Sequence, residues 1–401
     1  METKVGIDKI GVYIPPYYLD MADLAQARDV EVDKFKIGIG QDKMAVTTIE
    51  HDIVALGANA AAQILTDEDK AQIDQVIFAT ESGFDFSKAA STYIHELLGI
   101  QPFAKAFEIK QACYGATAAI QTASDYIRLR PTRKILVISA DISRYGLNTS
   151  GESTQGAGAI AMLMSAEPRI LSLDMESISL TDNQFDFWRP SYSEVALVEG
   201  KFSSELYQAF FSRIMLQMEA QLPEKLQQVK SMVFHLPFTK MGKKALDSYA
   251  KAEETHLDPD KKEQMLQRWQ AHYGASTLLN REVGNIYTGS LFLSMLSLLI
   301  FDDGLAMGDQ IGLFSYGSGA VAELITGTLQ DQYLNTIEKE KIMAHFNRRQ
   351  AVNIEQYETM YEKRIPVSDD KVIVCQQPTD VGFYLAEVDG HRRYYRHFSG
   401  E

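Results

Sequence analysis

Two stretches of this chain run through the same order of elements, and that repetition limits the fold more than any other feature. Lys134-Ile-Leu-Val-Ile-Ser139 is followed by Gly156-Ala-Gly-Ala-Ile-Ala-Met-Leu163. Asp309-Gln-Ile-Gly-Leu-Phe-Ser315 is followed by Gly317-Ser-Gly-Ala-Val-Ala-Glu-Leu324. Each pair reads as strand, glycine turn, strand. Upstream, the apolar run Asp74-Gln-Val-Ile-Phe-Ala79 has a counterpart in Lys230-Ser-Met-Val-Phe-His235. The helix expected after Cys113 has one in the helix after Gly284-Asn-Ile-Tyr-Thr-Gly289. Two halves with one common order suggest a duplicated α/β layer fold, at a period far longer than a solenoid repeat. Strands are expected over 4–14, 75–79, 104–109, 134–139, 159–164, 229–235 and 310–315. Between the second-half strands, 182–276 reads as more helical and polar, with helices over 203–222 and 240–273, and part of it is placed to cover a site.

Composition narrows the function. The 401 residues are 45% hydrophobic and 23% charged, ordinary for a globular protein with a sizeable core. A net charge of -15 argues against nucleic acid as a partner, and obliges an anionic substrate to meet a local basic patch. The longest apolar run, Leu291 to Phe301, is too short to cross a bilayer. Met1-Glu-Thr-Lys-Val5 lacks the pattern of a signal peptide, and two cysteines do not make a disulfide scaffold, so a cytoplasmic protein is expected. The eight histidines are dispersed without zinc-type spacing, and there is no Walker A or dinucleotide glycine fingerprint. No metal and no resident cofactor are therefore expected.

Three reactive side chains stand at the ends of expected strands, where open α/β sheets place ligands. Cys113 lies in Phe107-Glu-Ile-Lys-Gln-Ala-Cys-Tyr-Gly-Ala-Thr-Ala-Ala119, at a strand-to-helix corner. The free N–H groups of a helix N-terminus are expected to lower its thiol pKa. Glu81 is the first ionisable residue past the 75–79 run, and His235 closes another apolar run. If the halves are duplicated, all three can converge on one crevice. A thiol that carries an acyl group, a carboxylate base and a histidine facing a developing oxyanion suit carbon–carbon bond formation through an acyl-enzyme. Taken singly, each has a plainer reading: a buried small hydrophobe, a solvated strand end, a structural histidine. The Tyr316-Gly-Ser-Gly-Ala320 turn is either an ordinary hairpin or a source of N–H donors, and Asn285 either caps a helix or orients a carbonyl. Lys240, Lys243 and Lys244 form a basic cluster after His235, either a solvated face or a seat for a phosphate-bearing handle. The remaining cysteine, Cys375, falls in the strand-like run Val372-Ile-Val-Cys375 and reads as a buried structural thiol.

In this order along the chain, Glu81-Ser-Gly-Phe-Asp-Phe-Ser-Lys88, Ala112-Cys-Tyr-Gly115, Phe187-Trp-Arg-Pro190, His235-Leu-Pro-Phe238, Gly284-Asn285 with Gly289-Ser290, and Tyr316-Gly-Ser-Gly319 resemble the motifs of the 3-hydroxy-3-methylglutaryl-CoA synthases, in the bacterial form that serves the mevalonate pathway. The resemblance runs from about Val5 to about Tyr395. It implies a thiolase-like, duplicated α-β-α-β-α five-layer fold with helical insertions in the second half, the halves being 1–166 and 167–401. It implies a homodimer acting on acetyl-CoA and acetoacetyl-CoA. It assigns the acetyl carrier to Cys113, the base to Glu81 and assistance at the second substrate to His235. It places Tyr145, Asn285, Pro237, Gly317 and Ser318 around the acyl groups, with the Ser318 N–H at the thioester oxygen, and Lys240 and Lys244 on the CoA side. Glu81 sets this family apart from the related β-ketoacyl-ACP synthases, which rely on Cys, His and Asn. A ketoacyl synthase III-like enzyme, a cysteine acyl hydrolase and a non-catalytic acyl-CoA-binding subunit are the alternatives.

Overall fold

The computed structural model describes residues 3–400. Ten strands make one mixed sheet. From one edge the order is Val229–Phe234, Gln310–Gly317, Val321–Leu329, Leu171–Leu173, Val5–Tyr13, Ala157–Ala166, Lys134–Ile142, Ile73–Ala79 and Lys105–Ile109, with Ile178–Thr181 also paired to Val321–Leu329. The order is a palindrome about the contact of Leu171–Leu173 with Val5–Tyr13. On one side Val229–Phe234 runs parallel to Gln310–Gly317, which is antiparallel to Val321–Leu329, which is antiparallel to Leu171–Leu173. On the other side Ile73–Ala79, Lys134–Ile142, Ala157–Ala166 and Val5–Tyr13 repeat the same senses. Lys105–Ile109 and Ile178–Thr181 stand outside this palindrome. Where the halves join, a Cβ on Gly6 would lie 2.0 Å from the Leu171 carbonyl oxygen, so a side chain there would force the two halves apart.

The strands are buried on both faces, which is why they read as unbroken apolar runs such as Ile135-Leu-Val-Ile138. Two helices fill the centre. Gly115–Leu129 follows Cys113, and its counterpart Ser290–Phe301 is buried along its whole length except for Phe301. Both contribute to one hydrophobic cluster with strands from each half. The serines of the second helix are satisfied inside that core: Ser294 and Ser297 donate to the carbonyls of Ser276 and Ala275. Along a flat sheet, Val229–Phe234 and Ile73–Ala79 would stand roughly 34 Å apart at normal strand spacing. His235, just past the first, lines a cavity with Cys113, and Glu81, just past the second, contacts Cys113, so the sheet curves around the central helices.

The expected strands form within a few residues of their predicted bounds. Two expectations are corrected. The helix expected over 240–273 is two helices, Met241–Lys251 and Pro259–Tyr273. Pro259 cannot continue a helix from before it, and Asp258 caps the new one by accepting from Asp260 N and Lys261 N. Cys375 is half-buried and lies outside the short strand Val372–Ile373. Among the described residues no helix is long and apolar enough to cross a membrane, and no three His, Cys, Asp or Glu side chains are grouped to hold a metal.

Candidate active site

Cys113 sits two residues before the Gly115–Leu129 helix, after Ala112, whose φ of 42° lies in the left-handed region. This sharp corner turns the thiol into a cavity of about 170 Å³. The walls include His235 and Pro237 from the end of Val229–Phe234, Asn285 and Tyr287 from the turn before Ser290–Phe301, and Tyr316 and Ser318 from the second-half hairpin. Gly200, Ser203, Ser204 and Tyr207 line it from the Gly200–Gln221 helix, with Phe238 and Met241 beside them. Part of the 182–276 segment thus covers the site.

Glu81 follows the neighbouring strand, and its Oε1 accepts from Cys113 Sγ at 3.0 Å. His235 lines the same cavity, so all three sequence candidates meet. Tyr145, Phe187 and Tyr287 pack edge-on to one another beside Cys113, with ring centroids 5.8–6.0 Å apart. These rings exclude water from the thiol.

Their electrostatics follow from that dryness. Burial first, and then the Asp141 carboxylate, push Glu81 up to about 8; the Cys113 hydrogen bond and the Arg189 charge pull the other way. The expectation of a lowered Cys113 pKa is overturned: the thiol is held well above its ordinary value. Burial is the main cause, followed by the charge and hydrogen bond of Glu81, then Asp141 and Asp186. Burial, with three carboxylates, outweighs one helix terminus. Burial drops His235 to about 3, so its imidazole is neutral at physiological pH. Its buried Nδ1 has no hydrogen-bond partner among the described residues.

Asn285 lines the cavity and is tied to its surroundings at both ends of its amide. Its Oδ1 accepts from Tyr287 N and Ser290 Oγ, each at 2.9 Å, which caps the turn. Its Nδ2 donates to the Tyr145 hydroxyl at 3.1 Å, which orients a cavity side chain. Gly317 does not line the cavity. A Cβ there would lie 2.6 Å from both the Gln111 carbonyl oxygen and Tyr114 Cβ, so the hairpin reaches the cysteine loop only because residue 317 lacks one. Gln111 Nε2 also donates to the Ser318 carbonyl at 3.4 Å. Lys240 and Lys244 do not line the cavity either. Lys244 is exposed with Nζ 5.0 Å from the centroid of Phe238, a wall residue, so it stands at the rim. Lys240 precedes the Met241–Lys251 helix and is half-buried, while Lys243 is paired with Asp247.

Sequence reasoning missed two fully buried carboxylates. Asp141 accepts from Thr80 Oγ1, Glu81 N, Ser82 N, Ser82 Oγ, Thr288 N and Thr288 Oγ1. It therefore ties the Glu81 loop to the turn that carries Tyr287. Asp186 accepts from Tyr316 OH at 2.8 Å, Gly319 N at 2.9 Å and Ser203 Oγ at 3.1 Å, joining three walls. The rule that found Glu81, a polar residue ending an apolar strand, applies to Asp141 once the strand is carried to Ile142. Asp186 precedes a recognised motif but carries no local signal of burial.

The chain and its fold are similar to those of known proteins. The family profiles of the N-terminal and C-terminal parts of hydroxymethylglutaryl-coenzyme A synthase match residues 1–168 and 248–397. The chain is 46% identical to the hydroxymethylglutaryl-CoA synthase of Enterococcus faecalis over 98% of its length and 99% of that protein. It is 31% identical to the polyketide 3-hydroxy-3-methylglutaryl-ACP synthase PksG of Bacillus subtilis, over 90% of its length and 88% of that protein. A solved HMG-CoA synthase complexed with CoA superposes with a TM-score of 0.93 at 40% identity, covering 98% of this chain and 100% of that one. MvaS in complex with 3-hydroxy-3-methylglutaryl coenzyme A gives 0.89 at 32% identity, covering 99% and 100%. The fold is accordingly thiolase-like, and the chain belongs to the hydroxymethylglutaryl-CoA synthase family.

Proposed function

We propose that this protein condenses acetyl-CoA with acetoacetyl-CoA and, with one water consumed, gives 3-hydroxy-3-methylglutaryl-CoA and CoA, for isoprenoid synthesis through the mevalonate pathway. The observation that carries the reading is the Glu81 carboxyl 3.0 Å from Cys113 Sγ, a thiol that lines one cavity with His235. A carboxylate beside an acyl-cysteine is needed to make an enolate, whereas a hydrolase has no use for one.

Cys113 Sγ attacks the carbonyl carbon of acetyl-CoA, the bond to the CoA sulfur breaks, and that sulfur leaves with the thiol proton. The ionised Glu81 then removes a proton from the methyl group of acetyl-Cys113. The enolate carbon attacks the ketone carbon of acetoacetyl-CoA. Neutral His235 supports the oxygen that becomes the 3-hydroxyl, as a hydrogen-bond donor rather than as an imidazolium, and the proton that Glu81 removed ends on that oxygen, which restores the carboxylate. Water finally attacks the Cys113 thioester and releases the product carboxylate and the free thiol. The backbone N–H groups of Cys113 and Ser318 serve the thioester oxygen, and Tyr145, Asn285 and Pro237 shape the acyl pocket. Because the substrates arrive as thioesters, the chemistry asks for no resident cofactor or metal.

A cavity of about 170 Å³ suits the acyl groups and not a whole CoA, so the nucleotide lies outside. Lys244, with Lys240, is suited to meet its phosphates at the rim. CoA is preferred to an acyl carrier protein as the carrier because the relative with 46% identity is named for CoA. The halves 1–166 and 167–401 are read as two copies of one unit. A homodimer is supported by Lys105–Ile109, an edge strand, with the exposed Phe103 just before it. Such an enzyme is expected in the cytoplasm.

The test is incubation with acetyl-CoA followed by intact mass and peptide mapping. One acetyl group on Cys113, discharged by acetoacetyl-CoA, is the expected result. Active protein with an unlabelled Cys113 refutes the route.

A further inference from the structure

Glu81 is faced by several groups, and only one of them is a cation. Asp141 approaches from the end of the Lys134–Ile142 strand, the Cys113 thiol from the helix corner, and Tyr145 and Tyr287 from the aromatic wall. Asp141 accepts six hydrogen bonds, which favour its carboxylate against the burial that raises its own pKa, and its charge opposes ionisation of Glu81. The only opposing charge is Arg189.

Arg189 is held there by construction. Its guanidinium Nη2 donates to the backbone carbonyl of Glu81, the only hydrogen bond it makes among the described residues, so no carboxylate partner consumes its charge. Phe187 and Trp188, just before it, pair with Val198 and Leu197. Asp186, three residues before it, is pinned by Tyr316, Gly319 and Ser203. The segment that supplies Phe187 to the cavity wall therefore also sets a cation over the Glu81 loop. Burial and Asp141 weigh more on the Glu81 carboxyl, and Arg189 is the cation set against them.

We propose that Arg189 is a positioning residue for proton abstraction: it anchors the Glu81 backbone and holds a positive charge beside the Glu81 carboxyl, so that Glu81 is ionised while Cys113 carries the acetyl group. The inference rests on the reading of Glu81 as the base. Removing the cation disfavours the carboxylate. The Glu81 midpoint therefore rises, and condensation must wait for a higher pH.

The experiment compares wild type with Arg189→Met and Arg189→Lys. Glu81 is titrated by infrared difference spectroscopy, following the protonated-carboxyl band that disappears in Glu81→Gln. The midpoint near 8 is expected to move up by about half to one pH unit in Arg189→Met, since Arg189 is exposed and partly screened, and to return most of the way in Arg189→Lys. The acid limb of kcat for condensation should move with it, while KM for acetoacetyl-CoA changes little. A midpoint that stays in place in folded Arg189→Met overturns the proposal, even if activity falls. A midpoint that moves in a protein unable to condense the two thioesters upholds the electrostatic role and overturns the proposed reaction instead.

Discussion

Replacing Glu81 by Gln keeps the shape of the side chain and removes its charge, so it isolates what that charge does to Cys113. The two reacting atoms are 3.0 Å apart. Coulomb's law with an effective dielectric of about 20 sets a ceiling of roughly 5.5 kcal/mol, about 4 pK units. Sharing of the thiol proton and solvent at the pocket mouth bring the expected fall in the Cys113 pKa to about 1–3 units. Between the Glu81 midpoint near 8 and the higher Cys113 midpoint, where Glu81 is ionised, the thiolate fraction then rises about 10- to 1000-fold. A less basic thiolate is also a poorer nucleophile, by roughly half as much on a logarithmic scale, which leaves about a 3- to 30-fold gain in reactivity. The assay is the rate of Cys113 alkylation by iodoacetamide between pH 6 and 10, with peptide mapping to separate it from the half-buried Cys375. Transfer of acetyl from acetyl-CoA to Cys113 should persist in Glu81→Gln. Condensation should fall by about 10²–10⁴, the usual contribution of a general base. An alkylation rate that is unchanged or lower above pH 8, where Glu81 is ionised, would refute the charge argument. Near-normal condensation would refute Glu81 as the base.

Single-turnover condensation by pre-acetylated enzyme should rise with pH and level off near 8 or slightly above. Glu81 must be ionised to act, its midpoint is raised, and the acetyl group removes the thiol hydrogen bond that favours the carboxylate. A profile that is flat from pH 6 to 9 contradicts this, and no limb from His235 is expected there because its imidazole titrates at about 3. Gly317→Ala places a methyl 2.6 Å from the Gln111 carbonyl oxygen and from Tyr114 Cβ. It should cost about 1–3 kcal/mol in thermal or denaturant unfolding and slow acetyl transfer to Cys113 by displacing the Ser318 turn; wild-type stability would show that the two loops are not in contact.

Much of the site was legible because it is built from strand ends. Glu81 and His235 each follow an apolar run within two residues, and Cys113 sits where such a run gives way to an alanine-rich helix. The pairing of Lys134–Ser139 with Asp309–Ser315 likewise anticipated the palindromic sheet, since burial on both faces leaves an apolar signature that survives in each half. The break at Asp258-Pro259 was also written locally, as a cap followed by a residue that cannot continue a helix, although the polar stretch hid it.

The rest belongs to contacts between residues far apart in the chain. The sequence by itself determined which side chains could carry an acyl group, abstract a proton and assist an oxyanion, because local pattern places each of them at the end of an element. Only the tertiary structure decided their protonation states. Asp141 reaches Thr288 across 147 residues, Asp186 reaches Tyr316 across 130, and Arg189 reaches Glu81 across 108. A thiol at a helix N-terminus is expected to ionise easily in isolation. Surrounded by three carboxylates and three aromatic rings it is held protonated, because the energy of a charge depends on everything within a few ångströms of it, wherever in the chain those neighbours lie.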